Sequence, residues 1–489
     1  MTEHHYIACD LGAESGRVIL GRLREGRVAL EEIHRFPNGA VKIAGSLRWD
    51  VLRLFDELKT GLRKIAARGG RAESLSVDSW GLDYVLTGDG QPMLSLPHHY
   101  RDARTDRTYA AALVSPGAEL IFAETGIQFM PINTLYHLLA EQERSPRVLA
   151  MAERFLTIAD WLHFLFSGVA VIEESLASTT QLYNPVTRAW SARLIETFAF
   201  PRKIFPPIVP SGTRLGGLLP EVAAELGVDA LAVIATCSHD TGAAVAAVPA
   251  SGSDWAYLSS GTWSLIGVEL PAPLLTAAAR AHNFTNEAGF GGTTRFLKNI
   301  TGLWLLQESR RAWALDGREY DYATLAAEAA LAEPFGALIN PNNARFWKPD
   351  AMPEKIAAYC RETGQPAPKT PGQFTRCIYE SLALLYRRTL AEVEEVTGRT
   401  IARLHIVGGG SQSRLLNQFA ASATGREVFA GPVEATALGN VLLQAVTLGH
   451  IASLAALREV VRASFEIERY EPQERTDWER AAARFASLP

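Results

Sequence analysis

The sequence predicts an α/β protein of two domains. Three observations predict it. A chain of 489 residues exceeds the size at which a single core stops growing. Period-two apolar runs alternate with runs at helical spacing. A strand, a glycine-bracketed turn and a second strand open the chain, and the same pattern returns near its middle. With 47% hydrophobic and 21% charged residues the composition is that of a folded globular protein. A binding site at the junction of two such domains is the default expectation.

Residues 6–20 form the first of these patterns: an apolar strand ending in Asp10, a turn containing Gly12, Ala13, Glu14, Ser15 and Gly16, then Arg17 and a second apolar strand. Backbone N–H groups of such a turn can bind an anion, and phosphate is the natural guest. It is not a P-loop, because no Gly-Lys-Ser/Thr follows, nor a dinucleotide fingerprint, because the chain leaves as a strand. An ordinary solvated hairpin turn is the bland alternative.

Residues 27–36 alternate as a third strand, and Val51, Leu52, Phe55, Leu58, Leu62 and Ile65 fall on one face of a helix ended by Gly69 and Gly70. A short strand at 74–77 follows, so the helix crosses over to a parallel neighbour. It runs into Asp78, Ser79, Trp80, Gly81, Leu82 and Asp83, where open α/β sheets place ligands. Asp78 and Asp83 suit a hydroxyl-rich ligand. The segment 100–106 reads either as a ligand loop or as a salt-bridged helix start, and Gln128 in the loop 126–133 adds an amide.

Residues 135–197 read as largely helical, 155–166 included, and 201–210 as a proline-rich surface connection. A strand expected at 230–236 delivers Ser238, His239, Asp240 and Thr241 at its end, with small residues behind them. The composition loosens at 247–254, which places the domain boundary there. Residues 255–268 then repeat the opening pattern, with Gly261 and Thr262 in the turn. Two phosphate-sized turns at the starts of two domains could clasp one polyphosphate from both sides. Further on come Asn299, a helix containing Gln307, a buried helix through Phe374 to Val393, and a strand at 403–407 running into Gly408, Gly409 and Gly410. Glycines there let a phosphate or a flat group approach bare backbone; a tight strand-to-helix turn is the alternative. A strand at 427–430 and a helix from about 435 follow, and the charged end from Tyr470 reads as a surface helix.

The net charge of −5 gives no electrostatic case for nucleic acid. No run reaches the length of a membrane span, and the first residues lack a secretory pattern, so a cytoplasmic address is expected. Cys9, Cys237, Cys360 and Cys377 lack metal-site spacing and read as buried thiols. Cys360 and Cys377 could bridge across a Pro-containing loop, which reducing conditions oppose.

Eight ordered motifs resemble the FGGY carbohydrate kinases: Asp-Leu-Gly-Ala-Glu-Ser-Gly-Arg at 10–17, Asp-Ser-Trp-Gly-Leu-Asp at 78–83, Tyr-Arg-Asp-Ala-Arg-Thr at 100–105, Gly-Ile-Gln-Phe at 126–129, Ser-His-Asp-Thr at 238–241, Leu-Ser-Ser-Gly-Thr-Trp-Ser-Leu at 258–265, Leu-Lys-Asn-Ile at 297–300 and His-Ile-Val-Gly-Gly-Gly at 405–410. The resemblance covers nearly the whole chain. It implies two actin-like ATPase (ribonuclease H-like) domains flanking a central catalytic cleft. Residues 1–246 would carry the sugar site, the first phosphate hairpin and the catalytic base, and 247–489 the nucleotide site. The implied reaction is phosphorylation of L-rhamnulose by ATP at O1, giving L-rhamnulose 1-phosphate in L-rhamnose breakdown. Another ketose, L-fuculose or L-xylulose, and a non-catalytic sugar- or nucleotide-binding regulator on the same fold are the rival readings.

Residue by residue, the resemblance implies Asp240 as general base, since transfer to an alcohol needs a group that accepts the hydroxyl proton. Without it, an Asp here reads as a helix cap. Gly81, His239, Thr241 and Asn299 match sugar-binding positions, although His239 could be a core histidine. Ala13, Glu14, Ser15, Gly16 and Arg17 would line the phosphate channel, with Thr262, Gln307 and Gly409 at the nucleotide. Asp10 is assigned to Mg²⁺, directly or through water, because the hard ion prefers oxygen ligands and keeps several waters. The resemblance also makes Asp78 and Asp83 candidates for the sugar or a metal. The implied partners are a small ketose and ATP, with no nucleic acid or membrane, in a monomer or homodimer. Domain closure over the sugar would exclude water. One departure concerns Ala13 and Glu14, where sugar kinases tend to carry Thr or Ser. A carboxylate there would repel phosphate unless it points outward or toward Mg²⁺.

Overall fold

A computed structural model of the chain describes residues 2–228 and 231–489. The chain divides into two compact units, Met1–Pro249 with Glu269–Phe296 and Ala435–Ser464, and Ala250–Val268 with Leu297–Glu434 and Phe465–Pro489.

The first unit is built on a six-stranded sheet. Strands His4–Leu11, Ser15–Arg24 and Arg27–Pro37 run antiparallel in succession. Helix Val51–Ala67 then carries the chain to Ser74–Ser79, which pairs parallel with His4–Leu11. Ala232–Ala235 adds in parallel beyond it, and Thr213–Gly217 closes that side antiparallel. Tyr6 to Leu11 and all of Ser74–Ser79 are buried, as central strands covered on both faces must be. Ala230, where the sequence places the start of the strand observed at Ala232–Ala235, lies outside the described residues.

Helix Val51–Ala67 is capped by Asp50, whose carboxylate accepts from the N–H of Arg53 at 3.2 Å. Its buried face is Val51, Leu54, Leu58, Leu62 and Ile65. Leu52, expected on that face, is 55% exposed, because Val51 and Leu54 already fill the row beside Leu58. A second difference lies at 155–166. Phe155 and Leu156 sit in a strand, Arg154–Thr157, paired with Tyr84–Thr87, and the helix begins only at Ile158. A short apolar run does not by itself separate buried strand from buried helix.

The second unit repeats the plan. Strands Trp255–Ser260 and Trp263–Leu270 form a hairpin, and Thr294–Thr301 lies beside the latter. The 27-residue helix Pro371–Thr397 leads to Arg403–Val407, which pairs parallel with Trp255–Ser260. That helix starts on a capping box of Thr370 and Gln373 and stops at Gly398 in the left-handed region. Glu427–Ala430 follows in parallel, and Glu468–Tyr470 covers the edge. The charged end then forms helix Arg475–Ala486, which buries Trp478 and Phe485. Among the described residues no helix is long and apolar enough to cross a membrane. The four cysteines are buried and free.

Candidate active site

In the first unit three parallel strands deliver carboxylates to one edge of the sheet. Register places Asp10 level with Asp78, and Ser79 level with His239. The carboxyl ends of parallel strands are where an open sheet presents side chains to a ligand. Asp240 begins the helix Asp240–Ala246, with a side chain 29% exposed. Its Oδ1 accepts from the N–H of Thr241 at 2.5 Å and from the Thr241 hydroxyl at 3.2 Å. Burial pushes the Asp240 carboxyl above its ordinary range; His239 and the Thr241 N–H oppose this, and Asp10 adds to it.

His239 is the centre of a network. Its Nε2 lies 3.4 Å from Asp240 Oδ1 and its Nδ1 3.3 Å from Glu287 Oε2. Arg295, fully buried, brings Nη2 to 3.1 Å from His239 Nδ1 and Nη1 to 3.1 Å from Glu287 Oε2. A guanidinium only donates, so Nδ1 holds the lone pair and the Nε2–H faces Asp240. His239 is thus both a core histidine and the neighbour of the expected base. Its own backbone N–H donates to the Ser175 hydroxyl at 3.0 Å, and Glu173 Oε2 accepts from the N–H of Ser238 at 3.0 Å. Burial pushes the Glu173 carboxyl up to about 7.

Asp10 accepts from Arg17 Nη2, its cross-strand partner in the opening hairpin. The turn between them is tied by Gly12 N–H to Ser15 C=O at 2.9 Å and by Asn38 Nδ2 to Gly12 C=O at 2.8 Å. Ala13 and Ser15 are half-buried, Gly16 is buried, and Glu14 is exposed. Asp78 is fully buried. Asn440 Nδ2 donates to its Oδ2 at 2.6 Å, while Oδ1 has no hydrogen-bond partner. Burial, then the charges of Asp10 and Asp240, push its carboxyl well above the ordinary value. Asp10 and Asp78, level on neighbouring strands, offer oxygen atoms, one of them without a partner, that suit a hard, partly hydrated cation held through water.

Gly81 lies directly after these residues, and a Cβ there would sit 2.8 Å from Thr179 Oγ1, so only bare backbone fits. Asp83 is buried. Its Oδ2 accepts from Trp49 Nε1 at 2.6 Å, Trp80 Nε1 at 2.8 Å and the Tyr100 N–H at 3.3 Å. The segment 100–106 is likewise a scaffold: Asp102 accepts from the Leu47 N–H at 2.7 Å, and buried Arg104 pairs with Glu141 at 2.6 Å.

In the second unit the turn of the second hairpin rests on the start of helix Trp304–Leu315. The N–H of Leu303 donates to Gly261 C=O at 2.9 Å and that of Trp304 to Thr262 C=O at 3.2 Å. Thr262 is half-buried, and Gln307, one turn into the helix, keeps its Oε1 buried without a partner. Asn299 is half-buried on strand Thr294–Thr301. Ser259 is level with Val407, so the hairpin turn and the glycine run leave neighbouring parallel strands. A Cβ on Gly410 would lie 2.0 Å from Ser260 Oγ, whereas Gly409 is exposed with nothing within 4 Å of its Cβ position. Beside this run lies a cavity of about 320 Å³ lined by Ser411, Gln412, Pro432, Val433 and Glu434 among others.

Sequence reasoning missed Asn440, Glu287, Arg295 and Glu173. Each supports a functional group from a distant part of the chain, and a lone Asn, Glu or Arg carries no local pattern.

Residues 5–247 match the model of the N-terminal domain of the FGGY family of carbohydrate kinases, and residues 256–448 that of its C-terminal domain. The Rhamnulokinase of Bacteroides thetaiotaomicron is 42% identical over 483 residues, covering 99% of this chain and 99% of that protein. The Rhamnulokinase of Bacillus subtilis is 39% identical over 469 residues, covering 96% of each. Among solved structures, a xylulose kinase from Lactobacillus acidophilus superposes with a TM-score of 0.83 at 16% identity, covering 99% of this chain and 97% of that one. Plasmodium falciparum glycerol kinase with ADP gives a TM-score of 0.79 at 14% identity and 99% of both chains. These last two speak to the fold alone. With both domain models matched and relatives at such identity along its length, the chain belongs to the FGGY family of carbohydrate kinases.

Proposed function

We propose that this carbohydrate kinase transfers the γ-phosphoryl group of ATP to O1 of L-rhamnulose, with Asp240 as general base. The observation that carries the substrate is the full-length similarity to proteins named Rhamnulokinase, 42% over 483 residues in one case. The network around Asp240 supports the role of the base. Its carboxyl lies at a helix start, raised above the ordinary value, with one oxygen held by the N–H and the hydroxyl of Thr241. The O1 hydroxyl would donate its proton to the free Oδ2 as its oxygen attacks phosphorus and the bond to ADP breaks. Thr241 orients the carboxylate, with His239 beside it, and Gly81, packed against Thr179, matches a sugar-binding position. Arg17 lines the path of the phosphates, and Thr262, Gln307 and Gly409 serve the nucleotide. A Mg²⁺ ion held by Asp10 and Asp78 through water would neutralise charge on the phosphates. Exposed Glu14 does not oppose such a site, because a solvated carboxylate interacts weakly.

Offering the purified protein Mg²⁺-ATP and a panel of ketoses, with ADP release as the readout, tests the substrate. L-rhamnulose should give the highest kcat/KM. A higher value for L-fuculose or L-xylulose would replace the substrate, and no ketose-dependent ADP would overturn the reaction.

A further inference from the structure

At the opposite, N-terminal ends of the strands that carry Asp10 and Asp78, the first unit assembles a second polar cluster. His4 opens the first strand, Glu73 directly precedes its parallel neighbour, and His450 follows the helix Ala435–Thr447. Among the described residues it is the one group of His, Cys, Asp and Glu whose ligand atoms all lie within 4.8 Å of one another. His4 Nδ1 is 2.7 Å from Glu73 Oε1, and His450 Nε2 is 3.5 Å from Glu73 Oε2. The two imidazoles stack with centroids 3.7 Å apart, each presenting a nitrogen to a different oxygen of one carboxylate, and the partly exposed His4 ring must turn out of the stack for both lone pairs to meet one ion.

All three positions are fixed by backbone. The Glu73 N–H donates to His5 C=O at 2.9 Å, and the His450 N–H to Ala445 C=O at 2.9 Å. Tyr6, fully buried, sets its hydroxyl 2.6 Å from His450 Nδ1. When that hydroxyl accepts from Nδ1–H, the lone pair on Nε2 faces Glu73. The 3.5 Å separation is long for a hydrogen bond to a charged carboxylate. It is close to the spacing of about 3.3 Å between ligand atoms around a tetrahedral ion with bonds near 2.0–2.1 Å. The side chains are 24%, 41% and 22% exposed, which leaves an ion free to enter and keep a water.

We propose that His4 Nδ1, Glu73 and His450 Nε2 bind one Zn²⁺ ion, with water in the fourth position and the Tyr6 hydroxyl orienting His450 from outside. Two imidazoles and one carboxylate are a donor set for zinc and not for Mg²⁺. The ion clips the start of the first strand to the end of helix Ala435–Thr447, the helix that supplies Asn440 to Asp78. Binding to the folded chain raises its thermal stability. This site is independent of the catalytic reading.

Untagged full-length protein, stripped with chelator, is titrated with Zn²⁺ by calorimetry and melted with and without the ion. One saturable equivalent per chain and a raised Tm are expected, and Mg²⁺ should reproduce neither. The His4→Ala and His450→Ala double variant should lose both effects, and Tyr6→Phe should weaken binding about tenfold. Co²⁺ should give the visible absorption of a tetrahedral site in the wild type and none in the double variant. If the double variant fails to fold, His4→Ala alone, at the partly exposed start of a strand, carries the comparison. Absence of a saturable equivalent in the wild type, or its retention without the histidines, would overturn the site.

Discussion

Asp83 shows how tightly a buried carboxyl group near the end of a strand can be held by the scaffold. Two indole N–H groups and one backbone N–H converge on a single oxygen, and burial pushes its carboxyl up to about 7. An unfolded Asp titrates near 3.9, so between these values the folded chain holds a proton that the unfolded chain has lost. The stability this contributes is fully present below about pH 4 and is lost as pH rises through about 7. Asp83→Asn keeps an oxygen for the indoles and cannot ionise. Urea melts at about pH 5 and about pH 8 should therefore differ less in the variant than in the wild type; an unchanged difference would assign the pH dependence to another buried group such as Glu173. Which residues are legible in sequence follows the same logic. Asp10, Asp78 and Asp240 sit just beyond apolar strands, a local pattern. Nothing local in Asp83 distinguishes it from them, and Asn440 meets Asp78 across 362 residues.

Among the elements, two short helices decide where the Asp240 carboxylate sits. Helix Asp240–Ala246 packs on helix Ala435–Thr447 so closely that a Cβ on Gly439 would lie 1.9 Å from Ala243 C=O. Gly439→Ala should destabilise the protein by about 1–3 kcal/mol or more, as overpacking does. Because the helix carrying Asp240 must shift to admit the methyl group, kcat should fall further than the stability loss explains under conditions where the variant is folded. Equal kcat in folded variant and wild type would show that this contact does not position Asp240. The hairpins were readable because glycine, Ser and Thr turns interrupt apolar strands at both ends of the pattern. The strand Arg154–Thr157 was not, since its apolar run continues without a break into helix Ile158–Ser167.

Across the whole molecule, the same plan appears twice: a hairpin, a third strand beside it and parallel strands reached through helices. The repeat was visible in the sequence as two similar openings, and the family models match both halves. Segments Glu269–Phe296 and Ala435–Ser464 belong to the first unit although they lie late in the chain, and they bring Glu287, Arg295 and Asn440 to the carboxylates. No composition change marks them, because they belong to it by packing alone. In the proposed reaction Asp240 accepts the proton of the attacking hydroxyl. The most direct measurement is turnover of L-rhamnulose by the wild type and by Asp240→Asn, with ATP binding followed separately and the product identified by phosphorus NMR. L-rhamnulose 1-phosphate is expected from the wild type, and in the variant ATP binding intact with turnover lower by at least about a hundredfold. Near-normal turnover in Asp240→Asn, or phosphate at a position other than O1, would contradict it.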